Sequence, residues 1–432
     1  MNDSPHSWAT LTLEHLFFAY RKAKADCFFD RQAFVAELFV EFEEDLYTNL
    51  VGLLTALQAG KIKELLRSNL GTPTLVAKKL AVTPQKRNGH GYFSSPERAF
   101  EHLREHNTLT PEFRLVGNFP VVMYVLSALW INEVGHKLDA KLSVNAHASR
   151  LRRYRPLPGS LKNQPGEFHK LGLGSFAPYF GPYRNWRSNG LNAIRHELQE
   201  NRPVIAMSLD LTSYYNIDPA FIALPGFWKE LEVELNDWEH DFTNAFGSAM
   251  VEWGQMARTK IGQHAPKGLL PELGGVPIGL PAIRLLANAL LWKLDKAISE
   301  GLAPVYYGRY VDDIFLVMRD PECLKTSEAV MDYIRNRVAC LGEAKPLKKV
   351  KGQQPVMQRT IDLGKSYQGK TQLVLQEEKH KVFFLNAEGG LDLLDNIEKE
   401  ITSVASERRL MPDPDTLDKT TAAKVLSAAS SS

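Results

Sequence analysis

Two adjacent aspartates, Asp312 and Asp313, constrain this chain more than any other feature of its sequence. They end the tetrapeptide Tyr310-Val311-Asp312-Asp313, which lies between apolar runs at 305–307 and 314–318. β-Branched and aromatic residues on both sides of a short polar step predict a β-hairpin. Carboxylates this close raise one another's pKa unless a cation lies between them, and Mg²⁺ is the usual cation. A solvated Asp-Asp turn is the alternative for the tetrapeptide alone.

The distribution of charge is more informative than its total. The chain has 432 residues, enough for two or three domains, and a formal net charge of only +2. The stretch 150–187 nevertheless carries eight Lys or Arg and one acidic residue, and 345–370 carries seven and one. Local basic stretches fit contact with a nucleic-acid backbone. A solvated charged surface is the alternative for either stretch.

Cysteine usage and the apolar runs predict a cytoplasmic protein without a membrane partner. The three cysteines, Cys27, Cys323 and Cys340, show no disulfide or metal-ligand spacing, which favours a reducing compartment. The N-terminus lacks the basic and apolar regions of a signal peptide. The longest apolar run, 119–131, is too short to span a bilayer and predicts a buried helix.

Apolar periodicity predicts the remaining elements. In chain order they are helices over 11–70 and 119–138, a buried strand over 203–209 that ends at Asp210, a helix over 282–298, strands over 371–375 and 382–385, and a helix over 391–401. A Gly/Pro loop at 273–281 precedes the helix over 282–298. Asp218 is expected to cap the helix that starts at Pro219.

The segment 145–192 interleaves arginines with aromatic residues. This composition suits phosphate pairing together with base stacking, and an irregular, tyrosine-rich connector is the alternative. The arginines expected to contact nucleic acid are Arg152, Arg153, Arg155, Arg184 and Arg187.

Asp210, Asp312 and Asp313 form the predicted catalytic set. Three carboxylates from two adjacent strands can hold two Mg²⁺ ions, and such a pair suits in-line attack of a hydroxyl on a phosphorus centre. In this interpretation the reaction is nucleotidyl transfer.

Five ordered motifs resemble those of the reverse transcriptases. They are Met207-Ser208-Leu209-Asp210 with Tyr214-Tyr215, Val276-Pro277-Ile278-Gly279-Leu280-Pro281 with Leu286-Ala287-Asn288, Tyr310-Val311-Asp312-Asp313, the segment 375–381 with Glu378-Lys379, and Phe383-Phe384-Leu385. The resemblance covers roughly residues 145–386. It implies an α+β fold with a palm–fingers core, in which an antiparallel sheet packs on helices. We therefore expect a helical N-terminal extension at 1–144, fingers and palm at 145–390, and a short helical thumb with a loose tail at 391–432, beyond which a further segment is expected.

The resemblance also implies roles for individual residues. The Leu211 backbone would contact a metal ion alongside the aspartates. Tyr215 would lie under the nucleotide's sugar and reject a 2′-hydroxyl, with Tyr214 as the alternative. Gly279, Pro281 and Lys379 would contact the nucleotide. Arg150 most nearly matches the phosphate-binding arginine of the fingers, and Arg152 or Arg153 are alternatives.

Where the sequence departs from the retroviral pattern, it resembles one group of bacterial reverse transcriptases. Ile278 stands where many retroviral and intron enzymes carry glutamine, and Gly279-Leu280-Pro281 is similar to the bacterial abortive-infection and defence-associated enzymes. The segment 18–26 is similar to that group as well, including the second polymerase of its type-three systems.

The resulting prediction is a reverse transcriptase, an RNA-directed or template-independent DNA polymerase in antiphage defence. Its expected cofactor is a pair of Mg²⁺ ions. Its expected partners are dNTPs, a non-coding RNA template or a DNA product, and a second polymerase subunit or a second copy of the chain. The template is left open between a bound RNA, the protein itself and none. The alternative is a catalytically weak, RNA-binding structural subunit of a defence complex.

Overall fold

The computed structural model describes residues 5–28, 35–84, 107–154, 166–212, 214–262, 275–321, 324–346 and 357–403. Over these residues the chain is a mixed α+β protein whose named sheets are antiparallel, which confirms the predicted class. The domain boundaries between the N-terminal extension and the fingers, at 144/145, and between the palm and the thumb, at 390/391, stay predictions. The larger of two apolar clusters runs from Leu11 in the N-terminal region to Leu375 near the C-terminal end.

The segment 11–70 is largely helical, as predicted, but the helical extension expected over 1–144 is wrong in one respect, because it also contains a β-hairpin. The segment 11–70 comprises α1 (Leu13–Phe28), α2 (Ala36–Glu44), α3 (Leu46–Gln58) and α4 (Ile62–Ser68). A long hairpin of β1 (Thr72–Pro84) and β2 (Asn107–Asn118) follows. The sequence did not predict this hairpin, because prolines within both strands remove backbone donors and obscure a strand pattern.

The apolar run after β2 is a buried helix, as predicted. It divides into α5 (Val121–Trp130), a π-helical turn (Ile131–Gly135) and α6 (His136–Lys141). Nearly all of α5 is inaccessible to solvent because it packs between α1 and later helices. Of the helices in the described ranges, none has the length and apolar character needed to cross a membrane.

The rest of the chain supplies a four-stranded sheet, a three-stranded sheet and the helices around them. In chain order these elements are α7 (Phe180–Gln199), β3 (Val204–Asp210), α8 (Pro225–Glu230), α9 (Asp237–Gly262), α10 (Pro281–Leu290), α11 (Trp292–Leu302), β4 (Tyr306–Tyr310), β5 (Asp313–Arg319), α12 (Ser327–Arg335), β6 (Leu341–Pro346), β7 (Met357–Ile361), α13 (Lys365–Gln368), β8 (Leu373–Gln376), β9 (Lys381–Leu385) and α14 (Ala387–Ser403).

The four-stranded sheet has the strand order β4-β5-β3-β9. Side chains alternate across β3, so Val204 and Ala206 join a cluster with α7 while Ile205 and Met207 join the main core. Because both faces are covered, β3 reads as one continuous apolar run. The hairpin of β4 and β5 and the strand before Asp210 are confirmed.

The single helix predicted over 282–298 is wrong in one respect. It is two helices, α10 and α11, separated at Leu291. The prediction failed because the apolar periodicity continues through the break, and neither Gly nor Pro marks it. The Asp218 cap is confirmed, since its Oδ1 accepts a hydrogen bond from the Ala220 N–H at 3.0 Å and Pro219 starts a 3₁₀ turn.

The close approach of α7 to β5 gives a test of this packing. A Cβ on Gly190 would lie 2.1 Å from Cε1 of Phe315, which is fully buried. We expect Gly190→Ala to lower the free energy of unfolding by about 1–3 kcal/mol through overpacking, although Ala is the better helix former. Denaturant unfolding measures this.

Gly181→Ala is the matched control in the same helix, because a Cβ there would have no neighbour within 4 Å other than adjacent residues and the backbone of its own helix. It should leave stability unchanged or raise it by up to about 1 kcal/mol. Equal effects of the two substitutions would contradict the packing of α7 on β5.

Candidate active site

The register of the four-stranded sheet places Asp210 opposite Asp313. Asp210 ends β3, Asp313 begins β5, and the two are paired across the strands. Residues paired in this way have Cβ atoms about 4.5–5.5 Å apart. Asp312 precedes Asp313, and its carbonyl accepts a hydrogen bond from the Leu211 N–H at 3.2 Å. The structure therefore brings the three predicted catalytic aspartates and Leu211 to one end of the sheet.

The turn between β4 and β5 is strained. Tyr310 pairs with Asp313, so Val311 and Asp312 form a two-residue connection. Val311 has a φ of +58°, a left-handed conformation that costs an L-residue about 1–2 kcal/mol and is exceptional for a β-branched side chain. Such strain persists only where the surroundings impose it.

Arg309 provides that constraint from inside the protein. Its guanidinium is completely buried, and Nη1 donates to the Val311 carbonyl at 2.8 Å. Nε and Nη2 both donate at 2.8 Å to the carboxylate of Asp295, on α11. The remaining donors reach Oδ1 and the carbonyl of Asn288, on α10. All five N–H groups of Arg309 are thus used.

The charges of this buried pair are mutually compensated. Burial alone would lower the pKa of Arg309, and the neighbouring Asp295 carboxylate more than offsets this, so that the pKa lies above its ordinary value. The Tyr307 hydroxyl donates to Asp295 Oδ1 at 2.6 Å. Removing one member of such a pair leaves an uncompensated charge in the core.

Negative charge accumulates at the end of the sheet. Desolvation, then Asp312 and Asp210, raise the pKa of Asp313 to about 7, and Lys379 opposes the rise. Asp313 is an exposed residue by surface area, so water screens part of this effect. The two neighbouring carboxylates raise the pKa of Asp313 even where water reduces the desolvation.

Lys379 is the cation that the structure brings to this cluster. Its Nζ lies 2.8 Å from Asp210 Oδ2, and both side chains are partly exposed. Lys379 ends a 3₁₀ turn, Glu377–Lys379, between β8 and β9. The residue predicted to contact the nucleotide therefore lies beside a predicted metal ligand.

The chemistry of the donors fits Mg²⁺. The cluster offers carboxylate oxygens. Desolvation, then the neighbouring carboxylates, raise the pKa of Asp313, and a hard cation would relieve the repulsion between the carboxylates. Within the described ranges, no three His, Cys, Asp or Glu side chains are close enough together to hold a metal ion as they stand. Asp210 is turned towards Lys379, so joining the other two aspartates requires it to release that ammonium group.

Tyr214 and Tyr215 have different environments. Tyr214 is buried, and its hydroxyl donates to the Ala287 carbonyl. Burial raises its pKa well above the ordinary value. Tyr215 is half-exposed, and its ring packs edge-on to that of Tyr214 with centroids 5.7 Å apart. Of the two rings, Tyr215 is the one that solvent can reach, and its contact with a nucleotide stays a prediction.

The loop before α10 is fastened to the end of β2. Gly117 N–H donates to the Ile278 carbonyl at 3.1 Å, and Gly279 follows with a φ of +105°. Pro281 is the first residue of α10, and the Ser127 hydroxyl accepts from the next N–H at 2.9 Å. Gly279 thus occupies a conformation that favours glycine, and Pro281 is buried.

The guanidinium of Arg150 is engaged in contacts within the protein. Its Nε lies 2.9 Å from Asp139 Oδ1, and its other donors reach four main-chain carbonyls at up to 3.5 Å. Arg153 binds the other oxygen of Asp139 at 2.8 Å. A phosphate contact by either arginine stays a prediction, and it would require these bonds to break.

The other described arginines that are predicted to contact nucleic acid differ in exposure. Arg184 is exposed and Arg187 is half-buried, with its guanidinium 5.8 Å from the ring centroid of Tyr183. Tyr183 in turn packs on Tyr310, beside the aspartate turn, with centroids 5.0 Å apart. Arg152 is half-buried and donates from Nε to a main-chain carbonyl. Arg155 lies outside the described residues.

Sequence reasoning missed the buried support of the turn. Arg309, Asp295 and Asn288 were not predicted to act together. A usable signal was present, because Arg309 is the only charged residue of β4 and lies directly before the aspartate tetrapeptide. A lone arginine in a strand with an apolar surrounding usually has a buried anionic partner.

Comparison with known proteins does not place the chain in a family. No protein-family model matches it, and no curated protein matches it.

The raised pKa of Asp313 predicts how stability depends on pH without metal. An aspartate in the unfolded chain loses its proton at about pH 4, its ordinary pKa. In the folded chain, the Asp313 carboxyl keeps its proton up to about pH 7. Stability therefore falls as pH rises through this window. Asp313→Asn cannot ionise and so does not lose this stability. In EDTA, the Tm of Asp313→Asn minus the Tm of the wild type should therefore be larger at pH 8 than at pH 5.

Asp320→Asn, just beyond the far end of β5, is the control and should show no such pH-dependent gain. A Tm difference for Asp313→Asn that is the same at both pH values would contradict the electrostatic account.

Proposed function

We propose that this protein is a DNA polymerase of the reverse transcriptase type, which transfers nucleotides from dNTPs to a primer hydroxyl. The observation that carries the proposal is the pairing of Asp210 with Asp313 across two adjacent strands, with Asp312 in the turn beside them. A sheet that presents three carboxylates at one end is suited to two-metal phosphoryl chemistry.

Two Mg²⁺ ions would be held by Asp210, Asp312, Asp313 and the Leu211 carbonyl. The ions would activate the attacking hydroxyl and neutralise charge on the triphosphate. The residues around them bind and orient the substrate. Lys379 exchanges its ion pair with Asp210 for the triphosphate. Tyr215 lies under the sugar, where a 2′-hydroxyl would meet its ring.

The finer architecture belongs to the same proposal. The four-stranded sheet with α7 would be the palm, the arginine-rich segment and the N-terminal side the fingers, and α14 the start of the thumb. Arg184 and Arg187 would contact the RNA template or DNA product, because they lie on the helix that packs beside the aspartate turn. A role in antiphage defence and pairing with a second polymerase subunit follow from the sequence resemblance.

Replacing the aspartates tests the proposal. We expect Asp312→Asn and Asp313→Asn each to reduce dNTP incorporation by at least about a hundredfold, the scale on which loss of one preorganised electrostatic group acts. Both keep side-chain size, so the variants should remain folded. Incorporation of labelled dNTPs by purified protein in Mg²⁺ is the measurement.

Asp320→Asn should retain wild-type incorporation. Normal activity of both active-site variants would contradict the catalytic assignment. Wild-type protein that binds RNA but incorporates no nucleotide would instead support the alternative of a structural, RNA-binding subunit.

Tyr215 is expected to set the choice of sugar. Tyr215→Val should admit ribonucleotides and raise the ratio of kcat/KM for a ribonucleotide to that for its deoxy counterpart by at least about tenfold, since steric exclusion discriminates more strongly than gain of one methylene contact. Steady-state kinetics on a single primer give the ratio.

Tyr214→Phe is the matched control, because it removes only the buried hydroxyl that donates to Ala287. It should lower stability and leave the sugar preference unchanged. An unchanged ratio for Tyr215→Val in a folded, active variant would contradict the assignment of Tyr215 as the sugar gate.

A further inference from the structure

Hydrogen bonds hold both peptide planes that flank Asp312. The Val311 carbonyl accepts from Arg309 Nη1 at 2.8 Å, which orients the plane before Asp312. The Asp312 carbonyl accepts from the Leu211 N–H at 3.2 Å, which orients the plane after it. Together the two bonds restrain the peptide planes on either side of Asp312, and hence the direction in which its side chain leaves the turn.

The bond to Val311 comes from a rigid source. Arg309 is fixed by Asp295 on α11 and by two oxygens of Asn288 on α10. Asn288 is fixed in turn, because its Nδ2 donates to the Ala148 carbonyl at 2.8 Å. A planar guanidinium with five donors can satisfy these partners simultaneously, whereas a lysine ammonium cannot span them.

The backbone around Arg309 is also restrained. Its N–H donates to the Asn145 carbonyl at 2.7 Å, and its carbonyl accepts from the His147 N–H at 2.8 Å. The edge of β4 is thereby covered, so Arg309 cannot shift along the strand without breaking both bonds. The strained φ of Val311 is what this arrangement imposes on the turn.

From these contacts we propose that Arg309 is a positioning residue for the Asp312 carboxylate, holding it ready for a divalent cation before one binds. The role rests on the proposed function, since it assumes that Asp312 is a metal ligand. Loss of the Val311 bond should let the turn sample other conformations, which lowers cation affinity and turnover more than nucleotide binding. Outer groups that orient metal ligands typically contribute about 10–100-fold in metal affinity or activity.

Arg309→Lys is the first test, because it keeps the charge beside Asp295 and loses the reach to Val311. Three quantities are measured on the full chain: amide hydrogen exchange over residues 309–314 in EDTA, Mg²⁺ affinity by calorimetry without nucleotide, and kcat and KM for a dNTP. We expect exchange in the turn to accelerate at least about tenfold, Mg²⁺ affinity and kcat each to fall about 10–100-fold, and KM to change little.

Val330→Ala is the matched control for lost stability. Val330 is fully buried in α12, which packs on β6. Suppose that both variants lower Tm similarly, and that neither changes hydrogen exchange in the turn or Mg²⁺ affinity. Arg309 then stabilises the fold only, and the proposal is overturned.

A double variant separates positioning from folding should Arg309→Lys fail to fold. Arg309→Met with Asp295→Met replaces the ion pair by apolar side chains, an exchange that is often neutral or stabilising, yet removes the donor to Val311. The proposal expects faster turn exchange and weaker Mg²⁺ binding in this folded variant, and wild-type values would overturn it. If wild-type protein binds no Mg²⁺, the proposed function fails, and the exchange result alone decides whether Arg309 holds the turn.

Discussion

The buried ion pair between Arg309 and Asp295 is the interaction on which the candidate site depends. It joins β4 to α11, and Asn288 extends the connection to α10. A buried pair contributes little net stability, because desolvation offsets much of the attraction. Its consequence here is geometric. The guanidinium fixes the Val311 carbonyl, and the turn accepts a left-handed conformation at a β-branched residue.

The electrostatics of the site follow from that geometry. Two paired strands and a two-residue turn bring three aspartates to one end of the sheet, where desolvation, then the charges of Asp312 and Asp210, raise the pKa of Asp313. Lys379 partly compensates the charge by pairing with Asp210. Lys379 and Asp210 can exchange one another for other partners, because their ion pair is partly exposed and costs little to break. In the proposed function, a cation replaces Lys379 beside Asp210, and a triphosphate replaces Asp210 beside Lys379.

The sequence predicted the parts of this structure that follow from local patterns. Apolar runs around a polar step located the β4–β5 hairpin and the end of β3, so the aspartates could be assigned to one end of a sheet. The β1–β2 hairpin was missed because prolines obscure it, and the break at Leu291 was missed because apolar periodicity continues through it. The Arg309 network joins residues 14 and 21 positions apart, and only the folded chain shows which carboxylate faces the arginine. Arg150 shows the converse, since a family motif suggested phosphate binding while its donors are used by Asp139 and nearby carbonyls.

Anomalous diffraction from crystals of the full chain soaked with Mn²⁺ and a non-hydrolysable dNTP tests the central claim most directly. The account predicts Mn²⁺ peaks bounded by Asp210, Asp312 and Asp313, with Lys379 moved from Asp210 to the triphosphate and the Arg309 bond to Val311 unchanged. Mn²⁺ bound elsewhere, or an aspartate cluster that stays free of metal with Lys379 still paired to Asp210, would contradict it.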